Sequence, residues 1–424
     1  MPWTATAAGP PSCGYHSGAE RAFLLKLQQQ ALQYFLDNQI QQTGLVLDRQ
    51  RNFGPPRRGG LVSTAATGMG FIATALASAF PYQLIGRQEA MARVRRGLDT
   101  ALHCLPHRYG AMPHFLDATT GKVVGNDARS TIDSAWLVAG GLWAAAFLGG
   151  TELHRLAAQL FRRLDWRHWT APGGLIRHGA DSADQPLAAC WDRLNGETVF
   201  MYVLAAGAAE SQAWPAQAWR QLRLFSSETG GLHFTNADLG LFVFQYGVDL
   251  LDLDNWRLPG DIDLTVEAAL ATEANARVCR AAADRFVTYQ RFWGLSAGDG
   301  PGAAHGMDTY RCYSPRGPFD GTAHISATVP GIAHRPALVW ENLRQAHSQS
   351  GPRLRGHYGF SNVNLDRQWV AGDMVGIDAG AIVLALDNYL VANRVRRTFH
   401  GIEAVQCGLE RLGCAAAAPR RLAG

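Results

Sequence analysis

No stretch of this chain alternates apolar and polar residues for long enough to organise a β-sheet, yet apolar residues return at three-to-four spacing throughout. ERAFLLKLQQQALQYFLDNQ, starting at residue 20, is an amphipathic helix by that spacing. Similar helical stretches follow at about 63–79, 87–105, 130–148, 151–164, 194–209, 264–290, 324–347 and 377–396. Between them run long segments loaded with Gly, Trp, His, Tyr and Asp, such as HRYGAMPHFLDATTGK, DWRHWTAPGG and GHYGFSNVN. Long loops in a compact domain usually carry function, and strands in them are confined to short hairpins. Helices too numerous for a simple bundle, with the chemistry on loops at one end, predict an all-α toroid of paired helices. The first 18 residues, rich in Gly, Pro, Ser and Ala, read as a flexible arm. Residues 19–400 read as one helical domain, and 401–424 as a frayed C-terminal tail.

Composition narrows the function classes. Hydrophobic residues make up 47% of the 424 and charged ones 17%, which suits a globular enzyme and excludes a disordered chain. A formal charge of +4 over this length gives no reason to expect a nucleic-acid partner. No segment of about 20 residues reads as apolar enough to cross a bilayer, so no membrane partner is expected. The N-terminus lacks a basic region followed by an apolar one, which reads as a soluble, cytoplasmic protein, or a periplasmic or secreted one if a leader has been removed. Seven cysteines, odd in number and without CxxC spacing, argue against a zinc site and a disulfide framework. Neither a metal nor any other cofactor is expected, and nothing in the sequence sets the oligomeric state.

Two residue patterns point to carbohydrate. Loop aromatics (Trp166, Trp169, Trp191, Trp293, Tyr310, Tyr313, Tyr358, Phe360 and Trp369) offer flat faces for the C–H faces of sugar rings, although each can equally plug the core. Acids also stand at the mouths of apolar helices: Asp133 in STIDSAWLVAGG, Glu197 in RLNGETVFMYVLAAG and Asp378 in VGIDAGAIVLAL. Glycoside hydrolysis needs two carboxyl groups, one protonated and one ionised, on opposite sides of the scissile bond. Beside Phe200 and Met201, an acid at 197 is desolvated and pushed toward a proton donor's range. Each acid alone is equally an N-cap or a buried hydrogen-bonding group, and composition does not choose the pair.

Eight segments in order, ALQYFLDNQIQQTGLVLDR, GAMPHFLDATTG, RSTIDSAWLVAGGLWAA, NGETVFMYVLAAGA, RFWGLSAGDGP, DGTAHISATVPGIAHRP, HYGFSNVN and GIDAGAIVLALDNY, together resemble the glycoamylase-like family over roughly residues 22–400. That family includes bacterial endo-β-1,2-glucanases, relatives acting on sophoro-oligosaccharides, and a domain of cyclic β-1,2-glucan synthases. The resemblance implies an (α/α)6 toroid, no metal, an oligo- or polysaccharide substrate and an inverting hydrolysis. By position it implies Glu197 as general acid and Asp378 as general base. It places Asp133, His114, Trp191, Trp293, Asp299, Asp320, His324, Tyr358 and Phe360 around the substrate, and Asp117 in the loop with His114. Three departures stand out. Ala379 and Ala381 replace a Gln and a Pro after the aspartate, Asp387 replaces a Glu, and Gly196 stands where a larger polar residue is common. Rival readings are a transglycosylase, a phosphorylase using Arg108, Arg311 or Arg316 as an anion site, a lyase built on Tyr310, His305 and Arg311, and a carbohydrate-binding protein without catalysis.

Overall fold

Ser17 opens the first helix, α1 (Gly18–Asn38), with a reciprocal cap: its hydroxyl accepts from Glu20 N (3.3 Å) and Glu20 Oε2 accepts from Ser17 N (3.1 Å). This is a computed structural model, and it describes residues 17–126, 128–253, 256–259, 262–304, 308–348 and 353–416. Most of the expected N-terminal arm, and His305, lie outside the described residues.

The helices fall into two kinds, which their sequences explain. α2 (Thr64–Ala77) is buried at every position. α3 (Arg87–His103) buries one stripe, Ala90, Val94, Leu98 and Ala101, and is charged elsewhere. α4 (Thr131–Leu148) is again buried almost all round, whereas α5 (Thr151–Arg163) buries only Leu153, Leu156, Ala157 and Leu160. α6 (Gly196–Ala206) buries every residue but Glu197. A one-turn helix, α7 (Phe242–Gln245), and a striped one, α8 (Leu264–Ala281), follow. Next come α9 (Ile325–Thr328), α10 (Pro336–Ser348), α11 (Gly376–Leu390), α12 (Arg394–His400) and α13 (Glu403–Leu412).

Apolar-all-round helices must be enclosed, and contacts between them run in a circuit. α2 packs on α4, α4 on α6 and α6 on α7, while α9 and the 3-10 turn Val329–Ala333 pack on α11, which returns to α2. Gln245 at the end of α7 reaches across to α9, its Nε2 donating to Ala327 O (2.8 Å). The striped helices lie outside this circuit: α1 on α2 and α11, α3 and α5 on α4, α8 on α7, α13 on α6. α2 and α4 meet backbone to backbone. A β-carbon at Gly140 would lie 2.8 Å from Gly68 Cα and closer still to that residue's carbonyl, so only glycine permits the approach.

Five expectations need correction. The helix expected at 264–290 stops at Ala281 before a separate 3-10 turn, and the one expected at 324–347 is divided at Pro330 and Pro336, which cannot continue a hydrogen-bonded helix. The helix expected at 377–396 breaks where Ala392 and Asn393 take positive φ. The expected tail from 401 instead folds into α13, which buries Val405, Leu409 and Leu412 against α6; residues 417–424 lie outside the described residues. Finally, α4 is by length and composition apolar enough to cross a membrane; here its apolarity is accounted for by burial inside the protein.

Short strands gather at the N-terminal ends of the enclosed helices. Leu61–Ser63 runs into α2 and pairs antiparallel with Phe115–Asp117. Arg129–Ser130 runs into α4 and pairs with Gly179–Ala180, and Asp373–Val375 runs into α11 and pairs with Arg49–Arg51. Three helix starts are thereby tied to loops, and the residues of those loops are delivered to one end.

Candidate active site

A cavity of about 600 Å³ opens at that end, walled by the first turns of the enclosed helices and their hairpins. Thr64 N donates to His114 O (3.1 Å) and Ser130 N to Met112 O (2.7 Å), so segment 112–114 links the starts of α2 and α4 and sets His114 between them. His114 stacks on Phe115 (3.8 Å between rings), and its Nε2 lies 3.7 Å from Asp133 Oδ1. Asp133, in the first turn of α4, also accepts a short hydrogen bond from the Ser130 hydroxyl. Trp191 closes another wall, stacked on His178 (3.9 Å) with its indole N–H donating to Thr131 Oγ1 (3.0 Å).

Glu197 stands in the first turn of α6, which Asn195 caps by accepting from Thr198 N (3.0 Å). A helix start favours an ionised carboxyl, and burial opposes it. Burial wins: with Asp133 adding repulsion, the Glu197 carboxyl is pushed up to about 7, against one compensating hydrogen bond from Trp136 Nε1 (3.3 Å). Asp378, in the first turn of α11 beside the cavity residue Ile377, is likewise pushed up to about 7 by burial and by Asp299. Tyr246 OH donates to its Oδ1 (3.3 Å), and Ser326 OH lies 3.5 Å from its Oδ2. Both carboxyl groups are walled in by protein but keep an accessible edge. Tyr246 is the element they share: its ring lines the cavity, meets Trp136 edge-on (6.2 Å), and its phenol feels the charge of both acids.

Arg49 is the one arginine among the cavity-lining residues, and it is already committed. Its guanidinium binds Asp48 (2.9 Å) and both oxygens of Asp299 (2.9 and 3.1 Å), so Asp299 is buried behind it, not free for ligand.

Several of the residues expected at the substrate are elsewhere. Trp293 is buried beside Asn342, whose side chain bonds its backbone at both ends. Phe360 is fully buried against Phe23, and Tyr358 packs edge-on against Tyr34. Asp320 organises its own loop, accepting from Thr322 Oγ1 (2.6 Å), Arg311 and Tyr313. His324 is buried against Tyr313, and burial lowers its imidazole to about 4, so it is neutral at pH 7. Asp117 caps a surface turn through Thr119 and Thr120. Trp166 and Trp169 are core residues. Conversely, Tyr246, Trp136 and Arg49 form the site without having been singled out in the sequence. Trp136 follows Asp133 by one helical turn, a signal that was available; Tyr246 sits in an apolar run, GLFVFQYGVDLL, that has none.

The departures have structural counterparts. Ala379 is fully buried, so its side chain faces the core and not the cavity. Asp387 is fully buried far along α11, held by Tyr82 OH (2.9 Å) and Arg394 Nε (3.0 Å). A β-carbon at Gly196 would lie 2.6 Å from Tyr246 O and 2.8 Å from Val248 Cγ2, so glycine there admits the Tyr246 segment to the start of α6.

Comparison with known proteins agrees with this architecture. The family model "Glycoamylase: Putative glucoamylase" matches residues 190–403. An exo β-1,2-glucooligosaccharide sophorohydrolase from Parabacteroides distasonis is 22% identical over 396 residues, covering 84% of this chain; the chain spans about half (54%) of that relative's length. A crystal structure from Bacteroides uniformis with the same description as the family superposes with a TM-score of 0.82, at 22% identity, over 95% of this chain and 98% of its own. An endo-β-1,2-glucanase from Chitinophaga pinensis, in complex with sophorotriose and glucose, gives a TM-score of 0.81 at 19% identity, over 93% and 99%. At these identities the structural likeness speaks for the fold.

Proposed function

The chain belongs to the Glycoamylase family, and from that premise we propose that it is a glycoside hydrolase cleaving a β-linked glucan, foremost β-1,2-glucan or sophoro-oligosaccharides. The circuit α2, α4, α6, α7, α9, α11 with its outer helices supports an (α/α)6 toroid, the cavity being its open end. One observation carries the reading. Two buried carboxyl groups, Glu197 and Asp378, rise from first turns of enclosed helices, both close enough to act on the Tyr246 phenol and both held up to about 7. At neutral pH such a pair populates the state with one proton shared out between two sites, which acid/base hydrolysis requires.

The roles follow from the donors. Asp378 accepts from the Tyr246 phenol (3.3 Å), a donor that stabilises its ionised form. Glu197 has a single indole N–H to stabilise its ionised form, while burial and the neighbouring charge of Asp133 favour its protonated form. Glu197 therefore protonates the glycosidic oxygen, and Asp378 takes the proton of the attacking water. The aromatic walls Trp191 and Phe115 supply stacking surfaces, with Asp133 and His114 in reach of sugar hydroxyls. Inversion needs room for that water, with carboxyl groups separated by about 6.5–9.5 Å.

Transfer to water is favoured over phosphorolysis by the arginines. Arg49 is saturated by two carboxylates, Arg108 faces Asp184, Arg311 faces Asp320, and Arg316 donates to Glu228 O. The deciding experiment incubates the protein with β-1,2-, β-1,3-, β-1,4- and β-1,6-glucans and follows product anomers by NMR. The expected result is α-anomer released from the β-1,2-glucan; absence of product from every glucan overturns the reading, and β-anomer overturns the inverting mechanism.

A further inference from the structure

Asp378 needs a donor that is committed to it. Ser326 is a poor candidate, because it has one proton and lies 3.0 Å from Asn362 Oδ1 but 3.5 Å from Asp378 Oδ2. The nearer acceptor takes the proton. Asn362 is itself anchored, its Nδ2 donating to Asp299 O (3.1 Å), which orients its oxygen toward Ser326. The phenol of Tyr246, 3.3 Å from Asp378 Oδ1, is then the donor left for the carboxylate.

The chain builds this approach with specific residues. Tyr246 is presented from the one-turn helix α7 on a segment that lies against the start of α6, where Gly196 leaves no β-carbon to obstruct its carbonyl. Its ring is fixed on two sides, edge-on to Trp136 (6.2 Å) and to Phe242 (5.7 Å). Buried, it stays a neutral phenol across the working range and so remains a donor. Other charged or titratable groups facing this point are Glu197 from α6, Asp299 and Tyr310 from the antiparallel pair Ala297–Pro301 and Asp308–Cys312, and Arg49.

We propose that Tyr246 is the positioning residue that fixes Asp378 in its ionised, water-facing state, and that Gly196 is the position that lets it do so. This rests on Asp378 being the base, as set out above. The Tyr246 ring is part of the cavity wall, and its hydroxyl acts through the carboxylate it holds.

Tyr246→Phe tests it, since the ring contacts with Trp136 and Phe242 survive. Loss of the donor disfavours the ionised carboxylate. The acid-side limb of the kcat/KM profile is expected to move up by about one pH unit, and turnover below that limb to fall about tenfold. KM is expected to stay within about twofold, because phenylalanine keeps the ring that forms the cavity wall. Ser326→Ala is expected to move the limb less. Replacing Tyr246 with a fluorinated tyrosine, a stronger donor of the same shape, is expected to move it down. A limb that stays in place in both Tyr246 variants overturns the proposal. Asp378→Asn keeps the two readings apart. If that variant still turns over, Asp378 is not the base and both readings fall. If it is inactive while the Tyr246 limb is unmoved, only the role of Tyr246 falls.

Discussion

Replacing Glu197 by glutamine should make the protein more stable at high pH and leave it equally stable at low pH. The carboxyl ionises near 4.5 when free and near 7 in the folded chain, burial being the chief cause. Below about pH 4.5 it is protonated whether the chain is folded or not, and burial costs nothing extra. Between the two values the folded chain holds the proton and the unfolded chain has lost it, so stability falls as pH rises. Above about 7 the folded protein carries the whole penalty of a buried charge, at about 1.36 kcal/mol per pH unit across the window, or about 3 kcal/mol. The accessible edge toward the cavity trims this to about 2–3 kcal/mol. Glutamine is nearly isosteric, neutral at every pH, and keeps an oxygen for the Trp136 N–H. Asp378 and Asp249, which also ionise near 7, are present in both proteins and largely cancel in the difference. Urea unfolding of both proteins at several pH values between about 4.5 and 8, with equal slopes required, measures the gap. A gap that is flat with pH, or that widens in favour of Glu197, refutes the reasoning.

Other outcomes follow from the same geometry. Glu197→Gln and Asp378→Asn should each lose at least about a thousandfold in turnover while calorimetry finds oligosaccharide binding nearly intact. Gly140→Ala drives a methyl into the Gly68 backbone and should cost about 3 kcal/mol or more, read as a lowered denaturation midpoint. Phe360→Ala should cost about 3–5 kcal/mol of stability with KM unchanged, because the ring is core and not platform. Trp191→Ala should do the reverse, raising KM through lost stacking at small cost to folding.

Much of the frame could be read from the amino acids, because enclosure demands apolar residues on every face. TAATGMGFIATALA leaves no polar side for water, and α2 is accordingly an inner helix. The same logic picked out Glu197, the one position of α6 that is not fully buried, and Asp378, in the first turn of α11. Loop aromatics were less legible. Trp293, Tyr358 and Phe360 look from the sequence like Trp191, and only packing tells a core plug from a cavity wall. Tyr246 was invisible because α7 is a single turn, too short for any period to register. Proline breaks at 330 and 336 were readable but yielded to the apolar pattern around them.

The two acids ride on enclosed helices, and the cavity wall is shared between the first turns of those helices and the hairpins laid over their starts. On the proposed reading the hairpins bear on both entry and proton handling: Asp299 of 297–312 raises the Asp378 carboxyl, and His114 of 112–117 lies 3.7 Å from Asp133. A foreign hairpin in place of 112–117 or 297–312 would therefore retune the acids along with the entrance.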